Sequence, residues 1–336
     1  MPHITLFLTS LILGTLLSLS SAHWIFIWVG LELNLLSFIP LLVSPSLFHT
    51  SEAAMTYFLA QTLGSGLFLL GAMTTLMSPL LPGSSNLPVM FILLGLLTKL
   101  GFPPFHFWFP SVMSLISWPL CLLLTTWQKL TPLILLFKII TPQPSIMFSS
   151  LIALGALTGG VGGMSQTHLR PLLAYSSIGH MSWMLASSLA SLSTSMIYLG
   201  VYILISIPLF MILWASSAFT ISATLNISSN SMVFKFILFI TMMSLGGLPP
   251  FLGFLPKLLV INSLSISFPL IILVTMAGSL LNLYYYLHLT FINTLTPVKL
   301  PIFSPSFISY SHPLNFLFMM MGTLTLGLSN SLFLSI

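Results

Sequence analysis

Charge is what this chain lacks most. Its 336 residues hold seven Lys and Arg and two Asp and Glu, 3% of the total, against 57% hydrophobic residues. A soluble domain carries about 25% charged residues, so a water-soluble reading is excluded. The formal charge of +5 rests on too few side chains to build the clustered basic face that nucleic acid needs, which excludes that partner. One cysteine, Cys121, permits neither an intrachain disulfide nor a cysteine metal cluster. No glycine-rich phosphate loop or nucleophile elbow is found, and the scattered histidines lack the paired spacing of a dihaem bundle. No cofactor or metal site is therefore expected in this chain. The start, Met1-Pro2-His3, has no basic n-region and no Arg-rich presequence, so insertion is expected to rely on the spans themselves.

What the chain has is apolar runs, closed by Pro, Ser, Asn and Gly clusters from end to end. A spanning helix takes about 20 apolar residues, and these runs are too long for the alternating strands of a barrel. The reading is an all-α polytopic membrane protein with eleven spans. They fall near 4–20, 24–43, 52–77, 88–117, 119–140, 146–164, 171–190, 195–217, 233–262, 268–291 and 313–334. Pro103 and Pro104 interrupt the run 88–117. Residues 88–101 rise only about 21 Å, short of a hydrocarbon core of roughly 30 Å, so this is one discontinuous span rather than two.

That interruption has a copy. Gly101-Phe102-Pro103-Pro104-Phe105 returns 146 residues later as Gly247-Leu248-Pro249-Pro250-Phe251, and Pro110 returns as Pro256. The same offset lays the first five spans on the next five. The expected organisation is a five-helix repeat at 1–140, a second at 146–291, and a loop with a C-terminal helix at 292–336. Five being odd, the second repeat is inverted, and paired broken helices in inverted repeats mark an ion or substrate path near the midplane. The share of Arg170, Lys235 and Lys299 on one side, against Lys138 on the other, places the amino terminus in the cytoplasm-like compartment.

Four charges fall well inside the spans, away from their ends: Glu32, Lys99, Lys129 and Lys257. Each costs roughly 2.5 to 3.5 kcal/mol on insertion scales, so something must require them. The bland account is ion pairs that join helices, with Lys257 snorkelling to an interface. The sharper account is a proton relay: burial favours the neutral form of such groups and pairing the charged form, so moving a partner loads or releases a proton. In that account Glu32 and Lys99 pair, Lys129 stores a proton and Lys257 passes it on. The repeat does not copy these charges, since Ile178, Leu245 and Thr275 stand where the first three would recur and Ser111 where Lys257 would. His106 after the first break and His180 beyond Tyr175, Ser176 and Ser177 are candidates to extend the path, as are Asn34 and Asn282. A histidine bonded to a backbone carbonyl explains either His equally well. Glu52 after Ser51 is read as a helix cap, and Arg170 as a topology or headgroup contact.

The segments 97–108, Trp127-Gln128-Lys129-Leu130, 173–180, 247–251 and Pro256-Lys257 together resemble the antiporter-like subunit family of mitochondrial NADH-ubiquinone oxidoreductase, respiratory complex I. The resemblance runs along essentially the whole chain. It implies a proton-translocating subunit of the membrane arm, related to cation/proton antiporters and sited in the mitochondrial inner membrane with its amino terminus on the matrix side. It implies roles for Glu32 and Lys99 as the family's glutamate–lysine pair, Lys129 as its central lysine and Lys257 as the lysine beside the second broken helix. NADH, FMN, iron–sulfur clusters and ubiquinone are expected in other subunits. The implied partners are a neighbouring antiporter-like subunit, a small multi-helix subunit, and lipids. Full-length members carry about fourteen spans and eleven fit here, which resembles the amino-terminal truncation of the animal form. A stand-alone antiporter and a structural spacer are the alternatives.

Overall fold

Several leucines lie on the outside and three lysines on the inside. The computed structural model describes residues 2–43, 48–77, 87–140, 146–216, 219–220 and 232–295. Among them Leu63 is 69% exposed and Leu13 63%, while Lys99, Lys129 and Lys257 are buried. Where lipid is the solvent, apolar side chains gain nothing by hiding and polar ones must, so this inversion marks a membrane protein.

Two compact units divide the chain at Leu154 and Gly155. The first holds α1 (Pro2–Ser20), α2 (Trp24–Leu42), α3 (Phe48–Met77), α4 (Leu87–Leu100), α5 (Trp108–Leu115), α6 (Trp118–Thr125) and α7 (Trp127–Ile140). The boundary falls inside α8 (Ile146–Met164). The second unit continues with α9 (Leu169–Ala190), α10 (Leu192–Ser216), α11 (Met232–Gly246), α12 (Phe254–Leu264) and α13 (Pro269–Leu295). Among the described residues there is no strand, only an isolated bridge between His168 and Thr220. Among the described residues six helical stretches are long and apolar enough to cross a membrane: 24–42, 49–76, 118–140 (α6 and α7 end to end), 147–164, 192–216 and 269–292. The expected span 313–334 lies outside the described residues, as do Lys299 and His312.

The helix α9 falls outside that apolar set because it carries Ser176, Ser177, His180, Ser182, Ser187 and Ser188. All six are buried against α10, α12 and α13, so the helix is shielded from lipid and need not be apolar. Its serines satisfy themselves: Ser176 and Ser177 donate to the carbonyls of Leu173 and Ala174 at 2.8 and 2.7 Å. Their oxygens remain available only as acceptors.

Three boundaries differ from expectation. The run 119–140 is two helices, because Thr125 and Thr126 hydroxyls bond back to Cys121 and Leu122 carbonyls and Thr126 ends α6; such back-bonding competes with the helix ladder. Helix α3 starts at Phe48, so Glu52 lies beyond its first turn and is no cap; it pairs with His49 at 3.9 Å on the exposed surface. Arg170 is in the first turn of α9 and stacks 4.6 Å from the centroid of Phe219.

The two breaks are built alike. Gly101 and Gly247 take φ of 65° and 74°, a backbone region open to glycine. After each, an N–H reaches back five residues, Phe102 to Leu97 at 3.0 Å and Leu248 to Met243 at 3.4 Å, which is the Schellman closure of a helix end. Phe105 to Phe102 and Phe251 to Leu248 follow at 3.0 and 2.8 Å. The Pro103–Pro104 and Pro249–Pro250 bonds are both cis. Each pair of these partners is separated from its counterpart by the same 146 positions, so the echo heard in the sequence is a repeated local structure.

Candidate functional site

In the first unit the break leaves acceptors without local donors. A helical carbonyl pairs with the N–H four residues on, and for Lys99 and Leu100 those residues are Pro103 and Pro104, which have none. The amide of Gln61, on α3, donates to the Lys99 carbonyl at 2.9 Å. Trp108 Nε1 donates to the Thr98 carbonyl at 3.0 Å. A closely packed α3 makes this reach possible: a Cβ on Gly95 would stand 2.7 Å from the Gly64 carbonyl, so small residues let the two backbones approach.

Lys99 and Lys129 line one cavity with Asn34, Tyr57, Gln61 and Gln128. Its volume of about 20 Å³ holds roughly one water. Asn34 Oδ1 and Gln128 Nε2 are buried without a hydrogen-bond partner among the described residues. The Lys129 ammonium sits 4.2 Å from the centroid of Phe109, which α5 supplies from beyond the break. A cation over a ring face is favoured by about 0.5 to 2 kcal/mol, the more so when desolvated. Glu32 is half-buried on α2, and its charge acts on both Lys99 and Tyr57. The expected Glu32–Lys99 pair is not a contact ion pair; among the described residues the pair within 4.0 Å is His49–Glu52. His106 lies in the break itself, half-buried, its ring 4.3 Å from that of Phe107.

In the second unit Lys257 turns back from α12 and donates from Nζ to the Gly246 carbonyl at 2.8 Å. Gly246 is the last residue of α11 and its local partner would be Pro250. A cation at a helix C-terminus also meets the negative end of the helix dipole. Trp183 faces the same ammonium at 6.0 Å. His180 meets the Tyr198 hydroxyl through Nδ1 at 3.2 Å and the Tyr202 ring at 5.4 Å. These three line a second cavity of about 10 Å³ with Ser244, Gly253 and Pro256, residues that flank the break carrying Lys257. Asn282 packs its amide against Gly179, where an added Cβ would lie 2.5 Å from Nδ2. Each unit thus has buried lysine, a helix break and a small cavity with polar groups in its lining. Among the described residues no three His, Cys, Asp or Glu side chains converge.

Residues 21–282 match the family described as NADH:quinone oxidoreductase/Mrp antiporter, TM. NADH-ubiquinone oxidoreductase chain 2 of Lumbricus terrestris is 43% identical over 292 residues, 86% of either chain. This chain belongs to the NADH-ubiquinone oxidoreductase chain 2 family. The Oryctolagus cuniculus chain 2 is 39% identical over 293 residues, 85% of this chain and 84% of that one. A chain of respiratory complex I from Thermus thermophilus superposes with a TM-score of 0.82 at 26% identity, covering 97% of this chain and 78% of that one. A chain of the Mrp complex from Dietzia sp. shares the fold with a TM-score of 0.77 at 16% identity, over 96% and 73% of the two.

For a chain 2 family member, several polar neighbours of Lys99, Lys129 and His180 carry no mark in the sequence. Gln61, Tyr57, Gln128, Tyr198 and Tyr202 carry no charge and sit in apolar runs, so nothing in composition singles them out. One signal was available for Gln61. Two consecutive prolines guarantee two orphaned carbonyls, and a buried amide elsewhere is the natural donor to one of them.

Proposed function

We propose that this chain translocates protons as an antiporter-like subunit of the membrane arm of NADH:ubiquinone oxidoreductase in the mitochondrial inner membrane. The observation that carries this reading is the burial of Lys99, Lys129 and Lys257, 6%, 4% and 6% exposed, beside broken helices in a chain of this family. An ionisable group held away from water inside a membrane is a functional site by default. Two inverted five-helix repeats, 1–140 and 146–291, followed by one further helix, make eleven spans, with the amino terminus on the matrix side. Glu32 biases Lys99 through its field, Lys129 holds a proton on the Phe109 face, and Lys257 is the relay group of the second repeat. His106 and His180 extend the path. NADH oxidation and quinone reduction, with their FMN and iron–sulfur centres, belong to other subunits. Its neighbours are another antiporter-like subunit, a small multi-helix subunit and lipid.

The test is Lys129→Ala in the intact complex reconstituted into vesicles. Proton translocation is expected to fall strongly with assembly retained; near-normal pumping removes Lys129 from the path. Copurification with a large NADH-oxidising assembly separates this reading from a stand-alone antiporter. A structural role is favoured by one observation, the Lys257 bond to Gly246, which a helix cap would make whether or not it carried protons.

A further inference from the structure

The prolines of the first break create a need that one side chain meets. Lys99 has its carbonyl orphaned by Pro103, and a buried carbonyl without a donor is destabilising. Gln61 fills it at 2.9 Å from a helix 38 residues away, and is itself 6% exposed. One turn along the same face of α3, Gly64 leaves room for the Lys99 stem: a Cβ there would come within 2.9 Å of Lys99 Cγ and 2.5 Å of Thr98 Oγ1. Helix α3 therefore touches Lys99 twice, at its backbone and at its side chain, and both Gln61 and Lys99 line the water-sized cavity shared with Lys129. The second repeat solves the same problem differently. Ile207 stands 146 positions after Gln61 and has no side-chain donor, and there the ammonium of Lys257 bonds the neighbouring orphan, Gly246.

We infer that Gln61 is a positioning residue for Lys99. It holds the end of α4 so that the lysine meets the cavity, and it frees Lys99 from the capping task that Lys257 performs in the second repeat. The inference rests on the reading of Lys99 as a relay group. An uncharged donor suits this place, because the cap then stays in force whichever way Lys99 is protonated.

The experiment uses the intact complex in vesicles, with Gln61→Met, Gln61→Glu and the Lys129→Ala control. Assembly is followed by native electrophoresis, and proton translocation per NADH oxidised across a range of pH. Gln61→Met keeps the volume and loses the donor, so translocation should fall about tenfold at every pH, the equivalent of roughly 1.4 kcal/mol. Gln61→Glu donates only while protonated, so it should match the parent at acid pH and Gln61→Met at alkaline pH. If Gln61→Met assembles poorly, the acid limb of Gln61→Glu decides, since there the protonated carboxyl is an uncharged donor: parent-like pumping is expected, and pumping depressed equally at acid and alkaline pH overturns the inference. Parent-like pumping by both Gln61 variants, with Lys129→Ala inactive, overturns this inference alone. Parent-like pumping by all three overturns the relay reading beneath it.

Discussion

Lys257 donates a 2.8 Å hydrogen bond to the carbonyl of Gly246, the acceptor that Pro250 leaves without a backbone partner. A residue proposed to carry protons is thus also the cap of a broken helix. The two tasks are linked, because whatever draws the ammonium away uncovers a buried carbonyl at the negative end of α11.

Replacing Lys257 separates these tasks. Lys257→Met removes charge and donor together and should loosen the end of α11 by about 1 to 3 kcal/mol. Faster hydrogen exchange across residues 243–253 is the expected signature. Lys257→Arg keeps a cation and a donor and should leave exchange near the parent rate. Equal protection in both variants would mean that the bond to Gly246 contributes nothing.

Gly247 is the harder glycine to replace. At φ 74° an added Cβ also meets Lys257 Nζ at 2.7 Å, so Gly247→Ala should destabilise by about 1 to 3 kcal/mol. Gly200 lies inside α10, where an added Cβ would have nothing within 4 Å, and Gly200→Ala should raise stability by about 0.5 to 1 kcal/mol. Thermal unfolding of the two variants in detergent reads the opposite signs; a common sign sinks the account.

Tyr198 is the polar partner to test for His180. The 3.2 Å contact is buried, with Tyr198 2% exposed. Buried polar pairs between membrane helices are worth about 0.6 kcal/mol on average and up to about 1.7. A double-mutant cycle of Tyr198→Phe and His180→Ala should return a coupling in that range, and strict additivity would show that the two side chains act independently.

How much was legible beforehand differs by residue. The breaks at Gly101 and Gly247 were, because a proline pair removes donors and a glycine supplies positive φ wherever they stand. The burial of Lys99, Lys129 and Lys257 was also legible, since apolar neighbours on both sides leave a charge no aqueous surface. A Glu32–Lys99 pairing is expected from the sequence without a distance, and the two do not form a contact ion pair, Glu32 being half-buried on α2. Sequence spacing says that two opposite charges share a unit but not how far apart their helices hold them. The capping role expected for Glu52 failed for a local reason: α3 begins at Phe48, upstream of the Ser51 signal.

Composition and the spacing of prolines by themselves determined that this is a helical membrane protein with two like breaks and three buried lysines. Those are consequences of solvent and of local backbone chemistry, which each residue carries with it. Only the tertiary structure decided which group serves each orphaned carbonyl: Gln61 for Lys99, Lys257 for Gly246. It likewise set Phe109 beneath Lys129 and Tyr198 beside His180. The physical reason is that a missing donor is written into the chain at the proline, whereas its replacement comes from another helix, and packing alone chooses which.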